Sequence, residues 1–107
     1  MTLRTEQQRK DLCADCPVAR VADSVGDSCT LLIIRDLMDG PKRYTDLETS
    51  LHGISSRTLT KKLRGLETDG LVTKKQTATR VEYRLTKKGA ALQEVVDAMR
   101  SYGKRYL

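Results

Sequence analysis

Three cysteines and a single histidine are the thiol and imidazole groups of this chain, side-chain types suited to metal binding and nucleophilic chemistry. Cys13-Ala14-Asp15-Cys16 has the spacing of a zinc half-site, and equally that of two thiols able to close a disulfide. A structural zinc takes four ligands, and only Cys29 and His52 remain to complete a set. Cys29 falls within an apolar helical pattern and reads as a small core residue. His52 sits in a Gly-flanked turn with no partner motif nearby. No metal or other cofactor is therefore expected within one chain, although two Cys13/Cys16 pairs from a dimer could offer four thiolates. Gly-rich phosphate loops, paired-carboxylate motifs and a nucleophile elbow are also lacking, so the chain is not expected to be an enzyme. Cys16 carries the sharper chemistry. It precedes Pro17 at an expected helix start, where unpaired N–H groups and the helix dipole favour a charged sulfur, and Arg20 lies four residues on. Asp15 opposes that effect. Cys13 could resolve an oxidised Cys16 into a disulfide, or either could pair across a dimer.

The second chemistry is cationic. Lys and Arg number 20 against 14 Asp and Glu, a net charge of +6. Between Pro41 and Gly89 stand twelve basic and five acidic residues (+7), and the remainder holds eight and nine (−1). The whole excess lies in the middle of the chain, the footprint of a polyanion binder.

These groups need elements to position them. Pro17 to Val25 reads as a short helix with Pro at its first position, ended by Gly26. Ser28 to Met38 is apolar nearly all round, which predicts a helix buried in the middle of the domain, stopped by Gly40-Pro41. Thr45-Asp46-Leu47-Glu48 reads as a capping box opening a helix to about Leu51. After the His52-Gly53 turn, Ser55 is an N-cap and Ile54 can staple onto Leu59. That helix runs to Asp69 and closes at Gly70. Leu59, Leu63 and Leu66 fall within about 60° on the helical wheel, opposite Arg57, Thr60, Lys61 and Arg64. Leu71 to Lys75 and Arg80 to Leu85 read as strands of a hairpin, and one long helix is expected from Thr86 towards Tyr106.

Two helices around a tight turn, a cationic second helix and a basic hairpin predict a mainly α fold with a small β-hairpin: a winged helix-turn-helix. The major groove, about 12 Å wide, admits one such helix. Ser56, Arg57, Thr60 and Lys61 are expected at base edges; Lys42, Arg43, Lys62, Arg64, Lys74, Lys75 and Arg80 are expected at phosphates. A winged helix acting on RNA or the ribosome is the alternative. The absence of Phe and Trp disfavours it, because sequence-specific RNA readers stack bases on exposed rings.

Cys16-Pro17-Val18, Thr30 to Leu37, Gly40-Pro41-Lys42-Arg43-Tyr44, Gly53 to Leu59, Leu63 with Leu66-Glu67, Gly70-Leu71-Val72, Val81-Glu82-Tyr83, Leu85-Thr86 and Lys88-Gly89 resemble the HxlR-type transcriptional regulators, small winged-helix proteins of the MarR group. The resemblance spans about Cys16 to Leu107. It implies a dimeric, DNA-binding regulator, often responsive to electrophiles, aldehydes or oxidants through an N-terminal cysteine. Cys29 stands where the family usually has Trp, and the wing from Leu71 to Tyr83 is a few residues short of the usual length and lacks proline.

The length, 107 residues, suits one domain: an N-terminal arm over 1–15, the helix-turn-helix and wing over 41–85, and a dimerisation helix over 86–107. In that last helix Leu92, Val95, Val96, Met99 and Tyr106 share about 100° of the wheel, with Gly103 in the stripe and Tyr102 beside it. A helix of roughly twenty residues is about 30 Å long and overhangs a domain of about 13 Å radius of gyration, so its distal end predicts a homodimer. Two recognition helices related by a twofold axis suit an inverted-repeat operator. No apolar run approaches a membrane span of about 18 residues, and Met1 to Lys10 has no secretory core, so the expected compartment is the cytoplasm.

Overall fold

The computed structural model describes residues 5–107, apart from the side chains of Arg9, Leu12 and Cys13. Among the described residues, seven helices and three strands follow in the order α1 (Glu6–Asp15), α2 (Pro17–Val25), α3 (Ser28–Met38), β1 (Lys42–Arg43), α4 (Tyr44–Ser50), α5 (Ser56–Thr68), β2 (Val72–Gln76), β3 (Val81–Leu85), α6 (Lys87–Ala90) and α7 (Gln93–Tyr106). This is the expected winged helix-turn-helix, mainly helical with a small antiparallel sheet. No described helix is long and apolar enough to cross a membrane.

Side-chain caps fix most of the helix starts. Thr5 and Gln8 form a reciprocal capping box at α1, the helix that occupies the N-terminal arm. Asp27 caps α3 by accepting from Thr30 N at 2.9 Å. Ser55 caps α5 by accepting from Thr58 N at 3.1 Å, as expected. The expected box at Thr45 is displaced: α4 begins two residues earlier, and the Asp46 carboxylate accepts from Arg43 N at 2.9 Å. Asp46 sits three residues beyond the Arg43 N-cap and is the acid of the actual box, while Glu48, the acid of the expected one, accepts from Ser56 Oγ.

The sheet order is β1-β3-β2. The hairpin pairs Val72 with Leu85 through Gln76 with Val81. Its turn closes through Thr77, which donates from its backbone N to Arg80 O at 2.8 Å. The third strand, β1, pairs Lys42 with Tyr83 and Arg43 with Glu82. Two residues are too few to show a period of two, so no strand was expected there. Gly70, at φ 76°, ends α5 in the left-handed region and lets Leu71 N bond back to Leu66 O at 2.9 Å.

The core lies between α3, α5, the sheet and the first turn of α7. Ile33, Ile34, Leu47, Leu59, Leu63, Leu66 and Val72 have under 2% exposure or sit at that limit. Tyr83 joins them from β3; burial first, then the nearby Glu67 charge, pushes its phenol up. The α3 helix is not buried all round. Leu32 is exposed and Cys29 and Leu31 are half-buried, because one face of α3 has no full covering layer among the described residues.

The single final helix is also corrected. Thr86 caps the four-residue α6 by accepting from Gly89 N, and it donates to Gly70 O at 2.6 Å. At Leu92 the backbone tightens to an i→i−3 bond onto Gly89 O at 3.0 Å, after which α7 starts afresh. A tightened turn preserves the apolar stripe, so periodicity alone does not reveal it. The molecule measures 45 × 35 × 29 Å, with a radius of gyration of 14.8 Å.

Candidate nucleic-acid interface

Helix α5 is held by one face and open on the other. Leu59, Leu63 and Leu66 anchor it in the core. Arg57, Lys61 and Arg64 stand exposed on its other face, and Lys74 and Lys75 are exposed on the wing strand β2. Among the described residues, none of these five cations enters an ion pair. Helix α5 and the hairpin thus offer guanidinium and ammonium groups that make no ion pair among the described residues.

The remaining expected contacts are more constrained. Lys42 is half-buried. Arg43 pairs with Asp46 at 3.4 Å, and Arg80 with Glu82 at 3.0 Å. Both are exposed pairs, which water and salt weaken readily. The Arg43 backbone N–H and side chain together hold the Asp46 carboxyl below its ordinary range. Lys62 departs from its neighbours. Its ammonium lies 3.4 Å from Asp27 Oδ2, so it ties α5 to the start of α3.

The two hydroxyls expected at base edges are already engaged. Ser56 Oγ donates to Glu48 Oε2 at 3.0 Å. Thr60 is half-buried, and its Oγ1 lies 3.1 Å from the phenol oxygen of Tyr44. Tyr44 and Glu48 are site residues that sequence reasoning missed. The only signal was an amphipathic side chain following the Lys42-Arg43 pair, and nothing local said which helix it would reach.

At the other end, Cys16 both ends α1 and caps α2. Its half-buried sulfur accepts from Ala19 N at 3.4 Å. The Arg20 guanidinium donates to Ala14 O at 3.4 Å, bridging the two helices. The side chain of Cys13 lies outside the described residues. Cys29 and the exposed His52 line one open depression of about 540 Å³ beside Arg35 and Ile54. Among the described residues, no three His, Cys, Asp or Glu side chains group as metal ligands.

The expected dimer residues divide. Val96 is buried in the chain's own core and Leu92 packs against it, so these two face inward. Val95 is half-buried. Met99 (50%), Tyr102 (60%) and Tyr106 (61%) are exposed, and the two tyrosine rings lie 5.0 Å apart. Val18 and Val21 of α2 are exposed as well.

Known proteins share this fold. A transcriptional regulator of helix-turn-helix type from Synechocystis sp. is 37% identical over 95 residues, covering 86% of this chain and 70% of its own. A solved structure described as a MarR-family regulator from Porphyromonas gingivalis W83 superposes with a TM-score of 0.81 at 30% identity, covering all of both chains. The redox regulator HypR in its oxidized form gives a TM-score of 0.81 at 32% identity, over 86% of this chain and 98% of that one. The HxlR-like helix-turn-helix family matches residues 24–107, from the end of α2 to the last residue of the chain. With the cationic helix and its wing in place, the chain belongs to the HxlR-like family of transcriptional regulators.

Proposed function

We propose that the chain is a homodimeric, sequence-specific binder of duplex DNA at an inverted repeat, with Cys16 making that binding sensitive to oxidants or electrophiles. One observation carries the DNA reading: α5 presents exposed Arg57, Lys61 and Arg64 alongside exposed Lys74 and Lys75 of the wing. Arg57 and Lys61, near the helix start, are the base readers in this scheme. Arg64, Lys74 and Lys75 bind phosphate, joined by Lys42 and, once DNA competes with their acids, by Arg43 and Arg80.

The exposed apolar end of α7 supports a second copy, because Met99, Tyr102 and Tyr106 otherwise remain in water. A twofold pair would place its recognition helices about 34–36 Å apart, one turn of DNA. Redox sensing rests on the half-buried Cys16 sulfur at the start of α2 and on the similarity to a redox regulator.

Gel-shift titration on the DNA flanking the gene tests the central reading. Arg57→Ala is expected to cost about 1–3 kcal/mol and relax specificity at one base pair; Lys75→Ala weakens all sequences alike and lowers the salt slope by about one. Duplex DNA should outcompete structured RNA for the same face. Unchanged affinity in both variants would show that this face does not bind DNA, and preference for the RNA would favour the alternative winged-helix role.

A further inference from the structure

Close packing of Leu59, Leu63 and Leu66 seats α5 in the core and sets its orientation coarsely. Directional bonds are what fix the remaining roll and tilt. Hydrogen bonds are directional, and three of them join the first half of α5 to α4. Tyr44 Oη donates to Ser56 O at 2.9 Å. With that proton committed, Tyr44 Oη accepts from Thr60 Oγ1 at 3.1 Å. Ser56 Oγ donates to Glu48 Oε2 at 3.0 Å. Tyr44 and Glu48 stand four residues apart on α4 and therefore share a face.

Tyr44 has a second connection. It directly follows β1, whose Lys42 and Arg43 pair with Tyr83 and Glu82 of the wing strand β3. Its phenol therefore reaches α5 from the first residue after the strand that edges the wing. To the direct packing of α5 on β2, this side chain adds a hydrogen-bonded link from the β1 edge of the sheet to the helix.

We propose that Tyr44 is a positioning residue that sets the angle of α5 against the wing and thereby the sequence discrimination of the protein, and that Thr60 serves this clip rather than a base. The inference rests on the DNA-binding reading above. Replacing Tyr44 by Phe removes both phenol bonds while keeping the ring that packs against the core. Arg57 and Lys61 then keep their charge but lose a fixed bearing on base edges.

The test uses the duplex that the wild-type protein enriches from a random-sequence pool, beside a scrambled duplex of equal length. Tyr44→Phe and Thr60→Val should each lower the ratio of the two affinities by about fivefold to tenfold, the scale of one or two lost hydrogen bonds. Affinity for the scrambled duplex and its salt slope should not move, because no phosphate contact is lost. Thr60→Ser keeps the hydroxyl and should behave as wild type. The double variant should be no worse than Tyr44→Phe alone, which already removes the one bond that Thr60→Val removes. In the unbound protein, amide exchange over residues 57–61 should rise in Tyr44→Phe while β2 and β3 keep their protection.

A wild-type affinity ratio in Tyr44→Phe overturns the proposal. So does a loss in Thr60→Val that Tyr44→Phe does not share, since Thr60 would then be reading a base. A rise in exchange across the whole chain would also overturn it, by making the clip a matter of general stability. If the wild-type protein enriches no duplex, the DNA reading itself falls and the positioning role falls with it. Faster exchange confined to residues 57–61 would then mark the clip as structural alone.

Discussion

Helices α5 and α7 are nearly equal in length and both amphipathic, yet their apolar stripes meet different fates. On α5, Leu59, Leu63 and Leu66 are at most 2% exposed. On α7, Val96 is buried at 8%, but the stripe then climbs out of the molecule through Met99, Tyr102 and Tyr106, each at least half exposed. Periodicity states that a helix has an apolar face; it does not state whose core that face fills. The α5 face is completed within the chain, and its reverse side is left free to carry charge. The α7 face is completed only over its first turn.

The largest effect expected from this contrast is on folding. Leu63→Ala removes a fully buried side chain and should cost about 2–5 kcal/mol, lowering Tm by about 4–8 °C per kcal/mol at every protein concentration. Truncating the end of α7 should act differently. Tyr102→Ser with Tyr106→Ser should weaken self-association about a hundredfold, as expected when two tyrosine anchors leave an interface, and should make Tm depend on concentration in a range where wild type does not. Sedimentation velocity separates the two. A wild-type species of 12.0 kDa at micromolar concentration would leave the α7 stripe without a subunit to cover it.

Much of this contrast was legible from sequence. The leucine spacing, the Ser55 cap and the alternation of Val81, Tyr83 and Leu85 sit within a few residues of one another, so local rules read them correctly. Where local rules are silent, distant residues decide. Thr60 lay on the wet side of the wheel, but Tyr44, sixteen residues away, claims its hydroxyl. Lys62 is drawn to Asp27 across thirty-five positions. Gly89 gave no sign that a Cβ there would lie 2.1 Å from Leu71 O, the close approach that seats α6 against the end of the sheet. The α3 pattern promised burial on all sides, and only the packed fold shows which side has no cover.

A smaller effect tests whether the open flank carries a signal. Val18 and Val21 expose further apolar surface on α2, and Cys16 stands at the start of that helix. Cys16→Ser preserves the cap, because a serine oxygen accepts from Ala19 N at least as well as sulfur does. Treatment with diamide or an aldehyde should lower wild-type DNA affinity about tenfold, roughly 1.4 kcal/mol, and leave the variant unmoved. Equal losses in the two proteins would make Cys16 a structural cap and place any sensing elsewhere.

The smallest effect concerns the link by which α5 is moored to α3. Burial pushes the Asp27 carboxyl up, but hydrogen bonds from the Thr30 hydroxyl and N–H, together with the Lys62 charge, outweigh it and hold the group below its ordinary value of 3.8. A carboxyl with a lowered folded-state pKa favours folding fully above its unfolded value. That contribution disappears as pH falls through the folded value, so the window lies below pH 3.8. The carboxyl is 45% exposed, so water screens the pair and the contribution should stay below about 1 kcal/mol. Asp46, lowered by its bonds to Arg43, titrates over the same acid range and will remain. Asp27→Asn keeps an N-cap acceptor while removing the charge. Urea midpoints measured from pH 7 down to pH 2.5 should therefore fall less steeply below pH 3.8 in Asp27→Asn than in wild type, with the two curves converging at the acid end. Parallel curves across that interval would show that Lys62 and Asp27 lend α5 no electrostatic support, leaving its leucines and the Tyr44 clip to hold it.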